Sequence, residues 1–263
     1  MRKAASEAEA DDRDWPRVHQ TPACIAGELV YAVGDVHGRY DLLKAMLATI
    51  VADASDRARG RLPILVLCGD YVDRGPDSAR VLTALDWIRR DGRVRPRLIK
   101  GNHEAAFLSF LKAPEDGEAW LRFGGDATLR SYGVTPPSDP ADQAEMIRAR
   151  DDLLEHMPAA HLRLLRELEL MAIIGDYAFV HAGIRPGVPL ARQKAEDLLW
   201  IRSPFLDQTR RFEKRIVHGH SWVEAAPEIY DNRIGLDTGA YETGVLTAIR
   251  IEDREVEVFQ ATP

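Results

Sequence analysis

Short apolar runs that end in a glycine followed by polar residues are the main pattern along this chain. The first run covers residues 29–33, and the second, residues 64–68, is apolar throughout, as expected of a strand covered on both faces. Similar runs lie at residues 96–100, 177–180 and 215–217. Between the first three runs, apolar positions recur at helical spacing, which predicts that strands and helices alternate. The pattern therefore indicates an α/β fold.

The C-terminal part of the chain has a different pattern. Residues 234–236 form one more short apolar run. Residues 245–251 and 255–260 then alternate between apolar and polar positions around a short polar turn, Glu252-Asp253-Arg254. Strict alternation on both sides of a turn predicts an antiparallel pair of strands. The predicted fold therefore mixes a parallel α/β part with an antiparallel hairpin.

The middle of the chain, residues 113–170, contains no clear buried strand. Its second half, residues 151–170, has a helical pattern whose apolar side is predicted to be Leu162, Leu165, Leu168 and Met171. We interpret residues 113–170 as a helical insert that forms a cap or lid on one catalytic domain, residues 24–263. Residues 1–23 are polar and mixed in charge, which predicts a mobile N-terminal tail.

Composition narrows the classes of protein to which the chain can belong. The formal net charge of −7 argues against general nucleic-acid binding, which needs a basic surface. No apolar run approaches the roughly 18 residues of a membrane span, and the first residues lack the apolar core of a signal peptide. The two cysteines form no disulfide framework, which suits a reducing compartment. We therefore expect a cytoplasmic protein that binds neither membrane nor nucleic acid, and we expect a monomer.

Metal-binding and acid–base side chains follow several of the predicted strands. Asp35 and His37 are two residues apart, so in an extended chain they point to the same side. In α/β sheets, ligands gather at the carboxyl ends of the strands. Side chains of this type stand after five different predicted strands: Asp35, His37, Asp70, Asp73, Asn102, His103, His181 and His220. Their number and placement predict one shared site.

The residue types indicate which chemistry this site supports. Carboxylates, imidazoles and one amide oxygen suit Mn²⁺, Fe or Zn²⁺ better than Mg²⁺, which prefers ligand shells made of oxygen. The side chains are too many for one metal ion with an open position, and two ions that share a bridging aspartate explain the number. Two such ions, about 3.5–4 Å apart, activate water and bind a phosphoryl group. The sequence therefore predicts a two-metal hydrolase, and the residue types leave Mn²⁺, Fe and Zn²⁺ open as its metals.

Five motifs in this order resemble one family. They are GDVHG at 34–38, GDYVDRG at 69–75, GNHE at 101–104, HAG at 181–183 and GH at 219–220. Together they resemble the phosphoprotein phosphatase family of calcineurin-like metallophosphoesterases, in particular its bacterial members and those of phage lambda type. The resemblance implies a four-layer α/β/β/α sandwich, which the spacing of the runs alone does not predict.

The resemblance also implies a role for each matching residue. It places two residues on the first metal, one residue as the bridge and three on the second metal, in that order: Asp35 and His37; Asp70; and Asn102, His181 and His220. His103 matches the proton donor to the leaving oxygen, and Asp73 matches its partner. Arg74, and more weakly Arg202, match the arginines that bind the substrate phosphate. Glu104 and Asp237 are expected to orient loops and not to bind metal.

The expected function is hydrolysis of phosphoserine and phosphothreonine in proteins, by in-line attack of a hydroxide that bridges the two metals. Diadenosine tetraphosphatases share these motifs, so a nucleotide hydrolase is the alternative within enzymes. A binding module without catalysis is the alternative from another class, and it predicts missing ligands or a missing proton donor. All of these residues are present in the chain.

Overall fold

Two five-stranded sheets form the framework of the protein. The structure is a computed structural model that describes residues 23–263, so the predicted tail lies outside the described residues except for Ala23. The strands are, in chain order, β1 (Leu29–Val33), β2 (Ile64–Leu67), β3 (Arg95–Leu98), β4 (Met171–Ile174), β5 (Tyr177–Val180), β6 (Arg215–His218), β7 (Glu228–Ile229), β8 (Arg233–Gly235), β9 (Leu246–Glu252) and β10 (Glu255–Ala261).

Both sheets mix parallel and antiparallel pairs. The first has the order β10-β9-β1-β2-β3, in which β1, β2 and β3 are parallel and the hairpin of β9 and β10 joins β1 in antiparallel fashion. The second has the order β4-β5-β6-β8-β7, with β5, β6 and β8 parallel. The predicted hairpin is confirmed, and its position beside β1 brings the end of the chain next to its beginning.

Helices cover the outer faces of the sheets. In chain order they are α1 (Tyr40–Arg57), α2 (Ser78–Asp91), α3 (Asn102–Lys112), α4 (Glu118–Trp120), α5 (Asp126–Ser131), α6 (Gln143–His156), α7 (Ala159–Glu167), α8 (Ala195–Trp200), α9 (Ser203–Leu206) and α10 (Ala240–Thr243). Single turns of 3₁₀-helix lie at Pro114–Asp116 and Leu190–Arg192, and the segment Leu121–Gly125 is kinked at Gly124, whose φ is 103°.

Strand alternation explains the layers. In β1, Tyr31 faces the core shared with the first helices, whereas Val30 faces the second sheet. In β5, Phe179 points back toward the first sheet, and Val180 points to the outer layer around α8 and α9. Successive residues of a strand face opposite sides, so each strand contributes to two cores. The result is the predicted α/β/β/α sandwich.

The middle region, residues 113–170, is helical as predicted, but two details of the prediction were wrong. The helix expected over residues 151–170 is two helices, α6 and α7, separated at Pro158, whose ring lacks the N–H that a continuous helix needs. Met171 does not belong to the apolar side of a helix, because it begins strand β4. Among the described residues, no helix is both long enough and apolar enough to cross a membrane.

Candidate metal centre and active site

The predicted site residues come together where the strands end. Asp35 and His37 follow β1, Asp70 and Asp73 follow β2, and the other three strand ends contribute the remaining residues: Asn102, His103, His181 and His220. Backbone bonds tie neighbouring loops together. The N–H groups of Val36 and His37 both donate to the carbonyl of Asp70, at 3.0 and 2.8 Å. The loops of different strands therefore form one hydrogen-bonded floor.

Left-handed backbone marks this floor. Five non-glycine site residues have positive φ: His37 (44°), Asp70 (50°), Asp73 (72°), Arg74 (67°) and His220 (66°). This conformation costs a non-glycine residue about 1–3 kcal/mol, and it persists only where the surroundings determine it. Such residues cluster at functional sites. The tertiary structure therefore stabilises backbone conformations at the site that these five residues do not favour by themselves.

Two glycines let carboxylates press against the backbone. A Cβ at Gly219 would lie 1.8 Å from Asp35 Oδ1, and one at Gly101 would lie 2.1 Å from Asp70 Oδ1. A side chain at either position would displace a predicted metal ligand. The glycines of these motifs are therefore part of the site, because they make room for its carboxylates.

The first group of potential ligands contains His37, Asp70 and His103, whose ligand atoms lie within 4.8 Å of one another. His37 Nε2 is 3.4 Å from Asp70 Oδ2. Its other nitrogen, Nδ1, donates to the carbonyl of Val72 at 2.9 Å. A backbone acceptor on one ring nitrogen fixes the tautomer and leaves the other nitrogen free to bind metal.

The second group contains Asp70, His181 and His220, and it shares Asp70 with the first. Asn102 Oδ1 lies between the two rings, 2.7 Å from His181 Nε2 and 3.0 Å from His220 Nδ1. Asp70 Oδ1 is 3.4 Å from His181 Nε2. The two oxygens of Asp70 thus face different groups, as a bridging aspartate requires.

Asp35 belongs to neither group but lies at their edge. Its Oδ2 accepts the backbone N–H of His220 at 2.8 Å. Its Oδ1 is buried and has no hydrogen-bond partner among the described residues, and neither has His220 Nε2. Burial, together with the nearby carboxylates of Asp237 and Asp70, raises the pKa of Asp35 well above its usual value. Bound cations would neutralise these closely spaced, buried carboxylates, so the residues present fit a metal site.

The histidines are in the form that binds metal. Burial lowers the pKa of His37 to about 3 and the pKa of His220 to about 2. Burial also lowers the pKa of His181 below its usual value. Neutral imidazole is the metal-binding form, so these three rings need lose no proton at neutral pH to coordinate an ion.

His103 differs from the other histidines. Its Nδ1 is 2.7 Å from Asp73 Oδ2, and its Nε2 points toward Asp70 at 3.9 Å. Burial lowers the pKa of His103, but the carboxylates of Asp70 and Asp73 outweigh burial and hold it above its usual value. A charged histidine held by a carboxylate on one nitrogen can donate a proton from the other.

Two exposed arginines reach the same cavity, which has a volume of about 380 Å³. The guanidinium of Arg74 lies 4.5 Å from the ring centre of Tyr241. Arg202 donates to Ser221 Oγ and to the His220 carbonyl, each at 3.3 Å. Among the described residues, neither arginine lies within 4.0 Å of a carboxylate. Their charges therefore remain available to a phosphate group, which planar guanidinium groups bind well.

Glu104 and Asp237 support the loops, as expected from the sequence. Glu104 accepts the backbone N–H groups of Gly101, Asp70, Tyr71 and Val72, at 2.7 to 3.2 Å. Asp237 accepts the N–H of Gly239 at 2.9 Å. The Glu104 carboxylate thus holds two of the site's loops together.

Several residues of this cavity are not evident from the sequence. Trp120, Phe123, Trp200, Trp222 and Tyr241 all line it. Phe123 and Trp200 are large apolar side chains that remain exposed. Trp222 lies two residues after His220, and Trp200 lies two residues before Arg202, but neither spacing indicates that an aromatic ring lines the cavity.

Comparisons with known proteins agree with this geometry. The family profile of calcineurin-like phosphoesterases matches residues 29–238. Serine/threonine-protein phosphatase 2 of Escherichia coli is 27% identical, over 85% of this chain and 93% of its own length. A symmetrical bis(5'-nucleosyl)-tetraphosphatase of Dechloromonas aromatica is also 27% identical, over 89% of this chain and 96% of its own length.

A plant phosphatase and a solved structure also match this chain. Shewanella-like protein phosphatase 2 of Arabidopsis thaliana is 30% identical over 60% of this chain, but the match spans only 46% of that protein's length. A crystal structure described as a candidate diadenosine tetraphosphatase superposes with a TM-score of 0.60 at 21% identity, covering 89% of this chain and 94% of the other. That structural match supports the fold. The profile match, which spans most of the chain and all five motifs, shows that the protein belongs to the calcineurin-like metallophosphoesterase family.

Proposed function

We propose that this phosphoesterase hydrolyses phosphoserine and phosphothreonine in proteins. The proposal rests on the number of positively charged side chains that line the cavity. Among the described residues that line it, Arg74 and Arg202 are the two with permanent positive charge. Two guanidinium groups match one phosphate group, whereas a dinucleoside tetraphosphate brings four phosphates to be neutralised. The charge of the cavity therefore favours a phosphomonoester.

The metals would be held by residues of the two ligand groups together with Asp35 and Asn102, whereas His103 would serve as the proton donor. Asp70 would bridge the ions, with Asp35 and His37 on one side and, on the other, Asn102, His181 and His220. When bound, two such ions supply a nucleophile at neutral pH and stabilise charge on the phosphoryl oxygens. Imidazole ligands and a carboxylate bridge favour Mn²⁺, with Fe or Zn²⁺ as alternatives.

The protein's own groups bind the substrate and move the proton. Arg74 and Arg202 hold the phosphate oxygens and orient the ester bond. His103 Nε2, facing the cavity, donates a proton to the leaving seryl oxygen as the bond to phosphorus breaks. Asp73 holds Nδ1 of the same ring at 2.7 Å and stabilises its charged form before transfer.

We further propose a cytoplasmic monomer that acts on phosphoproteins. Both cysteines are free thiols in the structure, and free thiols are typical of proteins in the reducing cytoplasm. The proposed metal ligands lie at the floor of a cavity that opens to solvent between exposed aromatic side chains. An open cavity of this kind is accessible to a phosphorylated side chain of another protein.

A second candidate function, hydrolysis of diadenosine polyphosphates, has one observation in its favour. Phe123 and Trp200 line the mouth of the cavity with 57% and 46% of their surface exposed. Exposed aromatic rings stack on nucleobases, with a contribution of about 1–3 kcal/mol for each base. A relative named as a serine/threonine-protein phosphatase and one named as a bis(5'-nucleosyl)-tetraphosphatase are each 27% identical to this chain.

A comparison of rates separates the two functions. With Mn²⁺ present, we expect kcat/KM for a phosphoseryl peptide to exceed that for diadenosine tetraphosphate by about 10-fold or more. The reason is that each phosphate of the tetraphosphate that has no arginine beside it makes no charge-assisted hydrogen bond in the cavity. The assay measures released phosphate and nucleotide from the same enzyme preparation. Bis-p-nitrophenyl phosphate, a diester, serves as the third substrate.

Two tryptophan variants provide the matched control. Trp200→Ala removes a ring at the cavity mouth, and Trp87→Ala removes a ring of similar exposure on helix α2, outside this cavity. A preference for diadenosine tetraphosphate that is lost in Trp200→Ala and kept in Trp87→Ala would establish the second function and reject the first.

A further inference from the structure

We propose that two residues of the insert, Trp120 and Thr128, are positioning residues that hold Asp73 where His103 needs it for proton donation. The insert would then be part of the catalytic machinery, in addition to covering the site. This inference rests on the proposed function, because it assumes that His103 protonates the leaving oxygen.

Both oxygens of Asp73 are bound by side chains of the insert. Trp120 Nε1 donates to Oδ2 at 2.9 Å, and this is the oxygen that also bonds His103 Nδ1 at 2.7 Å. Thr128 Oγ1 donates to the other oxygen, Oδ1, at 2.6 Å. With donors on both oxygens, the carboxylate cannot rotate without breaking a bond.

Burial makes these bonds important. Asp73 and Thr128 are both fully buried, and Trp120 is 3% exposed. Without the Thr128 hydroxyl, Oδ1 has no donor among the described residues, and without the Trp120 N–H, Oδ2 keeps only His103. Water cannot replace either donor at a fully buried position. The Asp73 side chain would then turn toward another donor, and the orientation of the His103 ring would change with it.

Trp120 also connects Asp73 to the helix that bears His103. Its ring stacks on Phe107 and Phe110 of α3, at centroid distances of 5.3 and 4.4 Å. His103 is the second residue of the same helix. One side chain therefore sets the distance between the carboxylate and the imidazole by contacting the carboxylate and the helix together.

The insert holds the backbone of the Asp73 loop as well. Gly124 accepts the backbone N–H of Arg74 at 3.1 Å, and Ser131 Oγ accepts that of Ala79 at 3.1 Å. Thr128 Oγ1 accepts the N–H of Asp73 itself at 2.9 Å. Asp73 and Arg74 both have left-handed backbone. These contacts are what keep the loop in a conformation that the two residues do not favour by themselves.

The test is the dependence of the rate on the leaving group. Thr128→Val keeps the volume of the side chain and removes the hydroxyl. We expect it to lower kcat on a phosphoseryl peptide by about 10-fold, as is typical when a residue that orients a site ligand is lost. We expect p-nitrophenyl phosphate, whose leaving group needs no proton, to lose distinctly less. Thr128→Ser should restore the phosphoseryl rate, and Trp120→Phe, which keeps a stacking ring but loses the N–H, should behave like Thr128→Val.

Tyr31→Phe is the matched control. Its hydroxyl donates to Asp53 at 2.6 Å, the same length as the Thr128 bond, and Tyr31 is fully buried outside the catalytic cavity. If the loss of a buried hydroxyl acted only through the fold, each of the two variants, Tyr31→Phe and Thr128→Val, would slow the hydrolysis of both substrates by the same factor. Equal losses on both substrates in Thr128→Val and Trp120→Phe, with a clear leaving-group effect in His103→Asn, would overturn this inference alone. If His103→Asn itself shows no leaving-group effect, the proposed proton donor is wrong and the inference falls with it.

Discussion

Asp70→Asn is expected to reduce kcat/KM on phosphoester substrates by at least about 100-fold and to lower the metal content of the purified protein. One oxygen of Asp70 faces His37 and the other faces His181, each at 3.4 Å. The amide keeps the size of the side chain but removes its charge and points N–H hydrogens at one of the two ions. Loss of a residue that merely orients a ligand typically costs 10–100-fold, so a shared ligand should cost at least the upper value.

Arg202→Ala is the control for this experiment. It removes a proposed phosphate contact at the same cavity and none of the proposed metal ligands, so it should raise KM and leave the metal content unchanged. Elemental analysis and steady-state kinetics on both variants provide the comparison. An Asp70→Asn protein with two metals per chain and a near-normal rate would show that Asp70 is not the bridge.

His103→Asn should slow phosphoseryl hydrolysis by about 10²–10⁴-fold, the usual contribution of a general acid, while both metals remain bound. A seryl alkoxide is a poor leaving group and needs a proton as the bond breaks. p-Nitrophenolate is a good leaving group, so hydrolysis of p-nitrophenyl phosphate should slow distinctly less. Nδ1 is bound by Asp73, which leaves Nε2 as the ring nitrogen available to donate the proton.

Asp73→Asn should show the same leaving-group pattern more weakly, because it disturbs the orientation of the donor without removing it. Metal analysis accompanies both variants. Loss of metal from His103→Asn would assign His103 to the ligand shell with His37 and Asp70, the group in which it lies in the structure. Equal losses on both substrates would mean that His103 stabilises the transition state without transferring a proton.

The sequence predicts that the candidate metal ligands lie together, because each of them stands beside a local signal. Asp35, Asp70 and His181 all come directly after a short apolar run or its glycine, and the carboxyl ends of the strands meet at one edge. The fold class was predictable for the same reason. The layering was not, because the uniformly apolar sequence of β1 indicates that both faces of the strand are covered but does not show by which elements.

Long-range contacts account for what the sequence did not reveal. Trp120 and Thr128 lie 47 and 55 residues beyond Asp73, and no spacing rule connects them to it. The left-handed backbone of His37 and Asp70 is equally hidden, because it is imposed by bonds between loops. The strand that begins at Met171 resembles the end of a helix in the sequence, because short apolar runs do not distinguish a strand from a buried helix.

Titration of metal-stripped protein with Mn²⁺ is the most direct test of a two-metal phosphoesterase. We expect chelation to abolish phosphate release from p-nitrophenyl phosphate, and full activity to return only as binding reaches two ions per chain. The observations behind this expectation are two ligand groups that share Asp70 and a buried Asp35 oxygen without a hydrogen-bond partner among the described residues. Full activity in the metal-stripped protein, or full recovery with a single ion per chain, would contradict the dinuclear site.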